Sequence, residues 1–384
     1  MTRDDMPGLD SGLSERARSI AAGLDDDEPD TRDHSAVDRA ARTALSHLSD
    51  SGLTAHAVPE PGGRVSAVAL CAIREELAAV SGLADAMFIM QGLGSCLITL
   101  AGSASMKARY LPEVARGAMI AAFALTEPDA GSDVSAIATR AVRDTEGYVL
   151  DGVKTYISNA GIADFYTVLA RTGDGPARRE GISAFLVEAT TPGLTVTQRL
   201  SIIAPHPIGT LEFSGCRIPS THLLGAEGQG FELALSVLDR FRPTVGAAAN
   251  GFARRALAES LSRSKQRRQF GRPISDFQAI RFKLADMAVW LDASRLLVQQ
   301  AAVLVDTGAG ATLTRRASAM AKLYATEAAQ RIVDEAVQIH GALGVTHGHV
   351  VERLYREVRA LRIYEGTSEI QRSIIARGLL ADET

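Results

Sequence analysis

The stretch Ile363-Tyr364-Glu365-Gly366-Thr367-Ser368-Glu369-Ile370-Gln371-Arg372 sets a carboxylate in a break between two helical patterns. Upstream, Val350, Val351, Leu354, Tyr355 and Val358 recur at helical spacing; downstream, Ile370, Ile374 and Ile375 do so again. Ser368 followed three residues later by Gln371 has the form of a capping box, which starts the second helix there. Glu365 therefore lies between apolar Ile363 and Tyr364 and the bare backbone of Gly366. Poor hydration raises a carboxyl pKa toward the range of a general base, and Gly366 lets another molecule approach the main chain closely. Taken alone, the same residues also describe an ordinary acidic loop between helices.

Two further stretches carry chemistry. Ala124-Leu125-Thr126-Glu127-Pro128-Asp129-Ala130-Gly131-Ser132-Asp133 is a turn rich in backbone donors and hydroxyls that follows an apolar run. Such a turn can hydrogen-bond a polar heterocycle without adding a competing base, although Pro-Asp-Ala-Gly-Ser-Asp alone is a common loop signal. In Gln338-Ile339-His340-Gly341-Ala342-Leu343-Gly344, glycines follow a helix end, which suits either a helix stop or a close backbone approach to a ligand. His347 and His349 have no further ligands around them and read as loop histidines, with no metal site expected.

The elements that must hold these stretches follow from periodicity. Residues 1–34 are acidic, densest at Asp25-Asp26-Asp27-Glu28, and read as a mobile start. Residues 35–118 form an N-terminal helical domain, with helices expected over 66–81 and 84–101. Residues 119–225 hold short strands at 119–125, 165–170, 182–187, 194–200 and 210–213, with strand, turn, strand over 148–158, which indicates an antiparallel β-domain. Residues 226–384 are helical again. Leu233, Val237 and Leu238 open a first helix, 247–267 a second, 276–306 a third, and Met320, Tyr324, Ala328, Ile332 and Ala336 mark a fourth, which together predict a bundle. The expected class is α+β, mostly helical. Arg353, Arg356, Arg359 and Arg362 repeat every three residues and read as a solvated or subunit-facing side.

Composition narrows the function. A 384-residue chain with 46% hydrophobic and 5% aromatic residues exceeds one typical core and favours helix. A formal charge of −4 provides no basic footprint for nucleic acid. No stretch approaches 18 apolar residues, so no membrane span is expected. The polar N-terminus lacks a signal core and the three cysteines are scattered, so a reducing cytoplasm is the expected location.

Taken together and in order, the chain resembles the acyl-CoA dehydrogenase family from about residue 35 onward. The resemblance rests on Thr-Glu-Pro-x-x-Gly-Ser-Asp from Thr126 to Asp133, Arg-x-x-Phe-Gly from Arg267 to Gly271, Gln278, Gln338-Ile339-His340-Gly341 and Tyr364-Glu365-Gly366-Thr367. It implies a helical N-terminal domain, a central β-domain and a C-terminal four-helix bundle, with FAD as cofactor. Leu125, Thr126, Gly131 and Ser132 would wrap the flavin. Tyr156-Ile157-Ser158 matches the family's Trp-Ile-Thr, with a hydroxyl near flavin N5 and a smaller stacking face. Arg267, Gln269, Phe270, Gln278, Gln338, Ile339, Gly341 and Ala342 would serve the FAD of a neighbouring subunit. Ala342 stands where the family usually has Gly. Thr367 and Glu369 would lie near the adenosine half.

The same resemblance makes Glu365 the α-proton base, and the alternative base position of some members is Phe241 here. Ser132, Asp239, Arg242 and Gly366 would face the substrate. The implied reaction is α,β-dehydrogenation of an acyl-CoA to the trans-2-enoyl thioester, with a carrier-protein thioester or an oxygen-using oxidase as alternatives. A non-catalytic flavoprotein is the reading from another class, against which Glu365 weighs. Electron transfer flavoprotein is the implied acceptor and a homotetramer or homodimer the implied assembly. The segment Ile202-Ile203-Ala204-Pro205-His206-Pro207-Ile208-Gly209 departs from the family's commoner composition and is expected near the thioester entrance.

Overall fold

The computed structural model describes residues 12–24, 28–173 and 179–381, so the Asp25-Asp26-Asp27 run lies outside the described residues. In chain order the elements are α1 (Leu13–Ala21), α2 (His34–Asp50), α3 (Thr54–Ala57), α4 (Ala67–Ala78), α5 (Gly82–Ala101), α6 (Ala104–Ala115), β1 (Ala121–Ala124), β2 (Arg140–Arg143), β3 (Gly147–Ser158), β4 (Phe165–Arg171), β5 (Ile182–Glu188), β6 (Leu194–Arg199), β7 (Ile208–Pro219), β8 (Leu223–Leu224), α7 (Gly230–Gln266), β9 (Arg268–Gln269), β10 (Arg272–Pro273), α8 (Gln278–Thr307), α9 (Ala311–His340), α10 (Val350–Leu361) and α11 (Ser368–Ala381). Contacts divide the chain into two compact units. One holds the segment ending at Glu28, Ser66–Asp85 and the chain from Asp239; the other holds Pro29–Val65 and Ala86–Leu238.

The first unit is a helical bundle. Its core is rich in alanine, including Ala247, Ala248, Ala249, Ala301, Ala325 and Ala329, which lets helices approach closely. The Asp306 carboxylate accepts from the N–H groups of Ala67 (2.7 Å) and Val68 (3.1 Å), closing the N-terminus of α4. Against the expected mobile start, residues 13–21 form α1 and pack on α4. Leu13, Ala17 and Ala21 are buried at i, i+4, i+8, a stripe too small to stand out among charged neighbours, and Arg18 bonds Glu76 at 3.1 Å. In place of two helices over 233–238 and 247–267 there is one 37-residue helix, α7, running through Pro243. Proline costs one ladder hydrogen bond, but Phe241, Val245 and Ala248 are fully buried around it and carry the helix through. The arginine row is also less solvated than expected: Arg356 pairs with Glu28 and Glu352, and Arg362 with Glu327.

The second unit packs α2, α3, α6 and most of α5 with an eight-stranded sheet. The strand order is β6-β7-β3-β2-β4-β5-β8, with β1 beside β4. Ladders are antiparallel except that β1 and β2 run parallel to β4. Gln91 of α5 ties the layers, donating to the carbonyls of Val114 (3.0 Å) and Met119 (2.8 Å) and accepting from Ala121 N–H (3.0 Å). Gly94 permits the approach: a Cβ there would meet the Ala121–Ala122 backbone at 2.7 Å. In place of the strand, turn, strand expected over 148–158 there is one continuous strand, β3, with a bulge at Asp151-Gly152. The register shifts between Leu150 and Gly152, and Asp151 accepts from Gly215 N–H at 2.7 Å.

Among the described residues two helices, α5 and α8, are long and apolar enough by length and composition alone to cross a membrane, a test that the core helix of a globular fold also passes. The relevant window of α5 is 83% buried in the fold, as a core helix is. On α8, Phe282, Val289 and Leu296 repeat every seven residues along an exposed side.

Candidate active site

Glu365 stands in the short break between α10 and α11 with φ of 53°, followed by Gly366 at 90°. A left-handed backbone is rare for a residue with a side chain and must be held by its surroundings. Gln371 donates from Nε2 to the carbonyls of Glu365 (3.2 Å) and Gly366 (2.8 Å), and the buried Lys322 ammonium donates to Gly366 O at 2.7 Å. Thr367 Oγ1 accepts from Ile370 N–H (3.4 Å), so the helix cap lies one residue before the expected Ser368. Ser368 is drawn elsewhere: its hydroxyl donates to Glu327 at 2.6 Å. The Gln371 side chain thus does not close a capping box but fastens the preceding turn.

Charge around Glu365 is nearly balanced. Its Oε2 is buried and has no hydrogen-bond partner among the described residues. Burial raises its pKa; the positive charges of Arg74, Arg242 and Lys322 oppose that rise, and Asp85 reinforces it. Arg74, 1% exposed, grips Asp85 through two bonds (2.8 and 2.6 Å), donates to Thr244 Oγ1 (2.9 Å) and bonds the Tyr364 phenol. Arg242 is buried and paired with Asp239, which also takes Arg315 at 2.8 Å. Burial pulls Lys322 down to about 8. An unpaired carboxylate oxygen among cations already engaged elsewhere is suited to accepting a proton.

The second unit gathers a different set. β1 runs into the Leu125–Asp133 loop, which is clamped to β3. Thr155 N–H donates to Thr126 O (2.9 Å), and the buried Lys154 ammonium donates to Leu125 O (3.0 Å) and Glu127 (2.7 Å). Glu127 in turn accepts from Ala138 and Thr139 N–H. Beyond a second register shift between Lys154 and Ile157, Tyr156 has φ of 54° and is 63% exposed. Ile157 is buried, and Ser158 Oγ lies 2.7 Å from His206 Nε2. Gly131 and Ser132 are exposed. Thr126, Tyr156 and Ser158 are therefore brought to one end of β3, where they provide an aromatic face and hydroxyls for a flat polar ring. Lys154 and Glu127 were not among the expected site residues, and His206, expected only as part of a segment near the thioester entrance, stands instead against Ser158. The signal for Lys154 was a cation inside an apolar strand; for Glu127 it was its place within the loop motif.

The remaining predicted residues lie in turns and at helix ends, most of them exposed. Arg267 precedes a small hairpin, β9–β10, whose tip is Phe270 (φ 52°) and Gly271 (φ 80°), the conformation of a tight two-residue turn. Phe270 is 92% exposed, and its ring lies edge-on to Phe277 with centroids 6.0 Å apart. Gln269 is exposed in the same hairpin, and Gln278 begins α8, also exposed. At the end of α9, Gln338 and Ala342 are exposed and Gly341 (φ 62°) caps the helix. Ile339 differs from its expected role: its side chain is buried in the bundle core, so only its main chain is available to a ligand. Glu369 is exposed on α11 and accepts from the Thr367 hydroxyl.

Three family models match in order: acyl-CoA dehydrogenase N-terminal domain over residues 13–118, middle domain over 122–216 and C-terminal domain over 228–380. The chain belongs to the acyl-CoA dehydrogenase family. The probable acyl-CoA dehydrogenase FadE25 of Mycobacterium tuberculosis is 40% identical over 351 residues, covering 90% of each chain. The butyryl-CoA dehydrogenase of Megasphaera elsdenii superposes with a TM-score of 0.88 at 32% identity, covering 98% of this chain and all of that one. PigA, solved with FAD and proline, superposes at 0.85 with 28% identity over 98% and 99%. As an acyl-CoA dehydrogenase, the protein is an oxidoreductase and its cofactor is FAD. The residues present fit that cofactor: an exposed aromatic at Tyr156, hydroxyls at Thr126, Ser132 and Ser158, and a projecting Arg267–Phe270 hairpin with guanidinium forks suited to a diphosphate.

Proposed function

We propose that the protein removes the α-proton and β-hydride of an acyl-CoA to give the trans-2-enoyl thioester, with Glu365 as the base. The observation that carries this reading is the buried, unpartnered Oε2 of Glu365 on a backbone forced into the left-handed region. Bound FAD supplies the two-electron acceptor. The chain supplies the rest. Glu365 holds the α-proton once it is taken, and its raised pKa brings its proton affinity closer to that of the thioester carbon. Arg74, Arg242 and Lys322 oppose the rise in its pKa that burial causes, without touching the oxygen that must react. Gln371 and Lys322 fix the Gly366 carbonyl and with it the turn that carries the base, while Thr126, Tyr156 and Ser158 orient the flavin.

The apolar side of α8 and the solitary Phe270 support a homotetramer in which a neighbour's hairpin completes each cofactor site. Electron transfer flavoprotein is the proposed acceptor. The test is an anaerobic titration of the FAD-loaded protein with acyl-CoAs from butyryl to palmitoyl, plus branched and cyclic acyl groups. Bleaching of the flavin by one class establishes the reaction and names the substrate. Near-wild-type bleaching by Glu365→Gln would remove Glu365 as the base.

A further inference from the structure

The unusual segment 202–209 brings a histidine to the Ser158 end of β3. His206 lies between two prolines. Pro205 fixes its own φ, and Pro207 restricts His206 to extended backbone. Asn159, itself at φ of 64°, donates from its N–H to Pro207 O (2.7 Å) and from its side chain to Ala121 O (2.9 Å), and Leu200 N–H donates to Ile208 O (2.9 Å). The loop is thus stapled directly after Ser158, and His206 Nε2 meets Ser158 Oγ at 2.7 Å. Burial lowers the His206 pKa to about 4, with no neighbouring charge opposing it, so the ring is neutral at working pH.

A neutral imidazole has one N–H and one lone pair. If Nε2 accepts from Ser158, the serine oxygen is left as an acceptor; if Nε2 donates, the serine hydrogen is free to be donated. An oxidised flavin presents a bare nitrogen acceptor at N5, and the two-electron-reduced ring presents an N–H there. We infer that His206 is a positioning residue that holds the Ser158 hydroxyl toward the flavin, leaving the serine hydrogen or the serine oxygen for the ring according to which imidazole nitrogen carries the proton. This rests on the FAD reading above. His206 touches neither substrate nor cofactor and acts only through Ser158.

The test uses purified full-length wild type, His206→Leu, His206→Gln, Ser158→Ala and the His206→Leu/Ser158→Ala double variant. The readouts are FAD dissociation constant, flavin midpoint potential and oxidised-flavin absorption. Loss of one well-oriented hydrogen bond predicts a dissociation constant raised about fivefold to tenfold in His206→Leu. The potential should move with it, and His206→Gln, whose amide can also donate or accept, should retain most of the wild-type values. In the Ser158→Ala background, His206→Leu should change nothing further. Equal effects of His206→Leu in both backgrounds, or none in either, would overturn the inference. If His206→Leu does not fold, a His206→Gln variant as impaired as Ser158→Ala overturns it too. A wild-type protein that takes up no FAD sinks the cofactor reading itself, a separate and visible outcome.

Discussion

Lys154 and Glu127 form an ion pair of 2.7 Å in which both side chains are buried. The pair clamps the Leu125–Asp133 loop: Lys154 also holds Leu125 O, and Glu127 also holds the N–H groups of Ala138 and Thr139. Breaking a buried pair from one side strands the other charge, at a cost of about 3–5 kcal/mol. Lys154→Met should therefore lose stability on that scale and lose FAD with it. The double variant Glu127→Gln/Lys154→Met should recover at least half. Urea unfolding with bound-FAD content measured in parallel checks both.

The Arg74–Asp85 pair should set the acid limb of the rate profile. Arg74 lowers the Glu365 pKa and Asp85 raises it. The base works when deprotonated, so activity rises with pH through that pKa. Asp85→Asn leaves the Arg74 charge unopposed and should move the limb to lower pH; Arg74→Gln should move it to higher pH. Single-turnover flavin reduction between pH 5 and 9 reads both shifts, and movement in the same direction would contradict this assignment.

Glu365 should weaken the fold that holds it. Its carboxyl pKa is raised on folding, so the folded state binds the proton more tightly than the unfolded chain. Stability then falls as pH rises from the unfolded value, about 4.3, through the folded one, and stays lower above both. Glu365→Gln should have a Tm advantage over wild type that is absent near pH 4 and present at pH 8, as calorimetry at the two pH values will show.

Gly366 should resist any side chain. Its φ is 90° and a Cβ would lie 2.7 Å from Gln371 Nε2, one of the bonds that fixes the base. Gly366→Ala should cost about 1–3 kcal/mol in backbone strain and reduce flavin reduction by about 10- to 100-fold through a misplaced base. Stopped-flow reduction and thermal unfolding separate the two effects.

Much of this was legible in the sequence because it depends on local rules. The four-residue repeat of Met320, Tyr324, Ala328 and Ile332 marks α9 wherever it packs, and the break at Glu365 follows from the patterns on either side. What was hidden depends on partners distant in sequence. Asp151-Gly152 reads as a turn until Gly215 donates to Asp151 from β7 and makes it a bulge. Pro243 separates two apolar patterns until burial of Phe241 and Val245 keeps them in one helix. Ser368 reads as the cap until Glu327, 41 residues earlier, takes its hydroxyl and leaves Thr367 to do it. The Arg74–Asp85 pair joins α4 to α5 and carries no motif at all.

Among the described residues, four that are not glycine have left-handed backbone: Tyr156, Asn159, Phe270 and Glu365. Tyr156, Phe270 and Glu365 are proposed cofactor or base residues, and at each the left-handed backbone costs about 1 kcal/mol or more relative to glycine, whereas asparagine tolerates it. A laboratory selection for heat resistance alone would thus be drawn to glycine at 156, 270 and 365, and its winners would be robust, colourless and inert. Conversely, a descendant of this chain with glycine at 156, 270 and 365 could be recognised from its sequence as having given up oxidation for some other use of the scaffold.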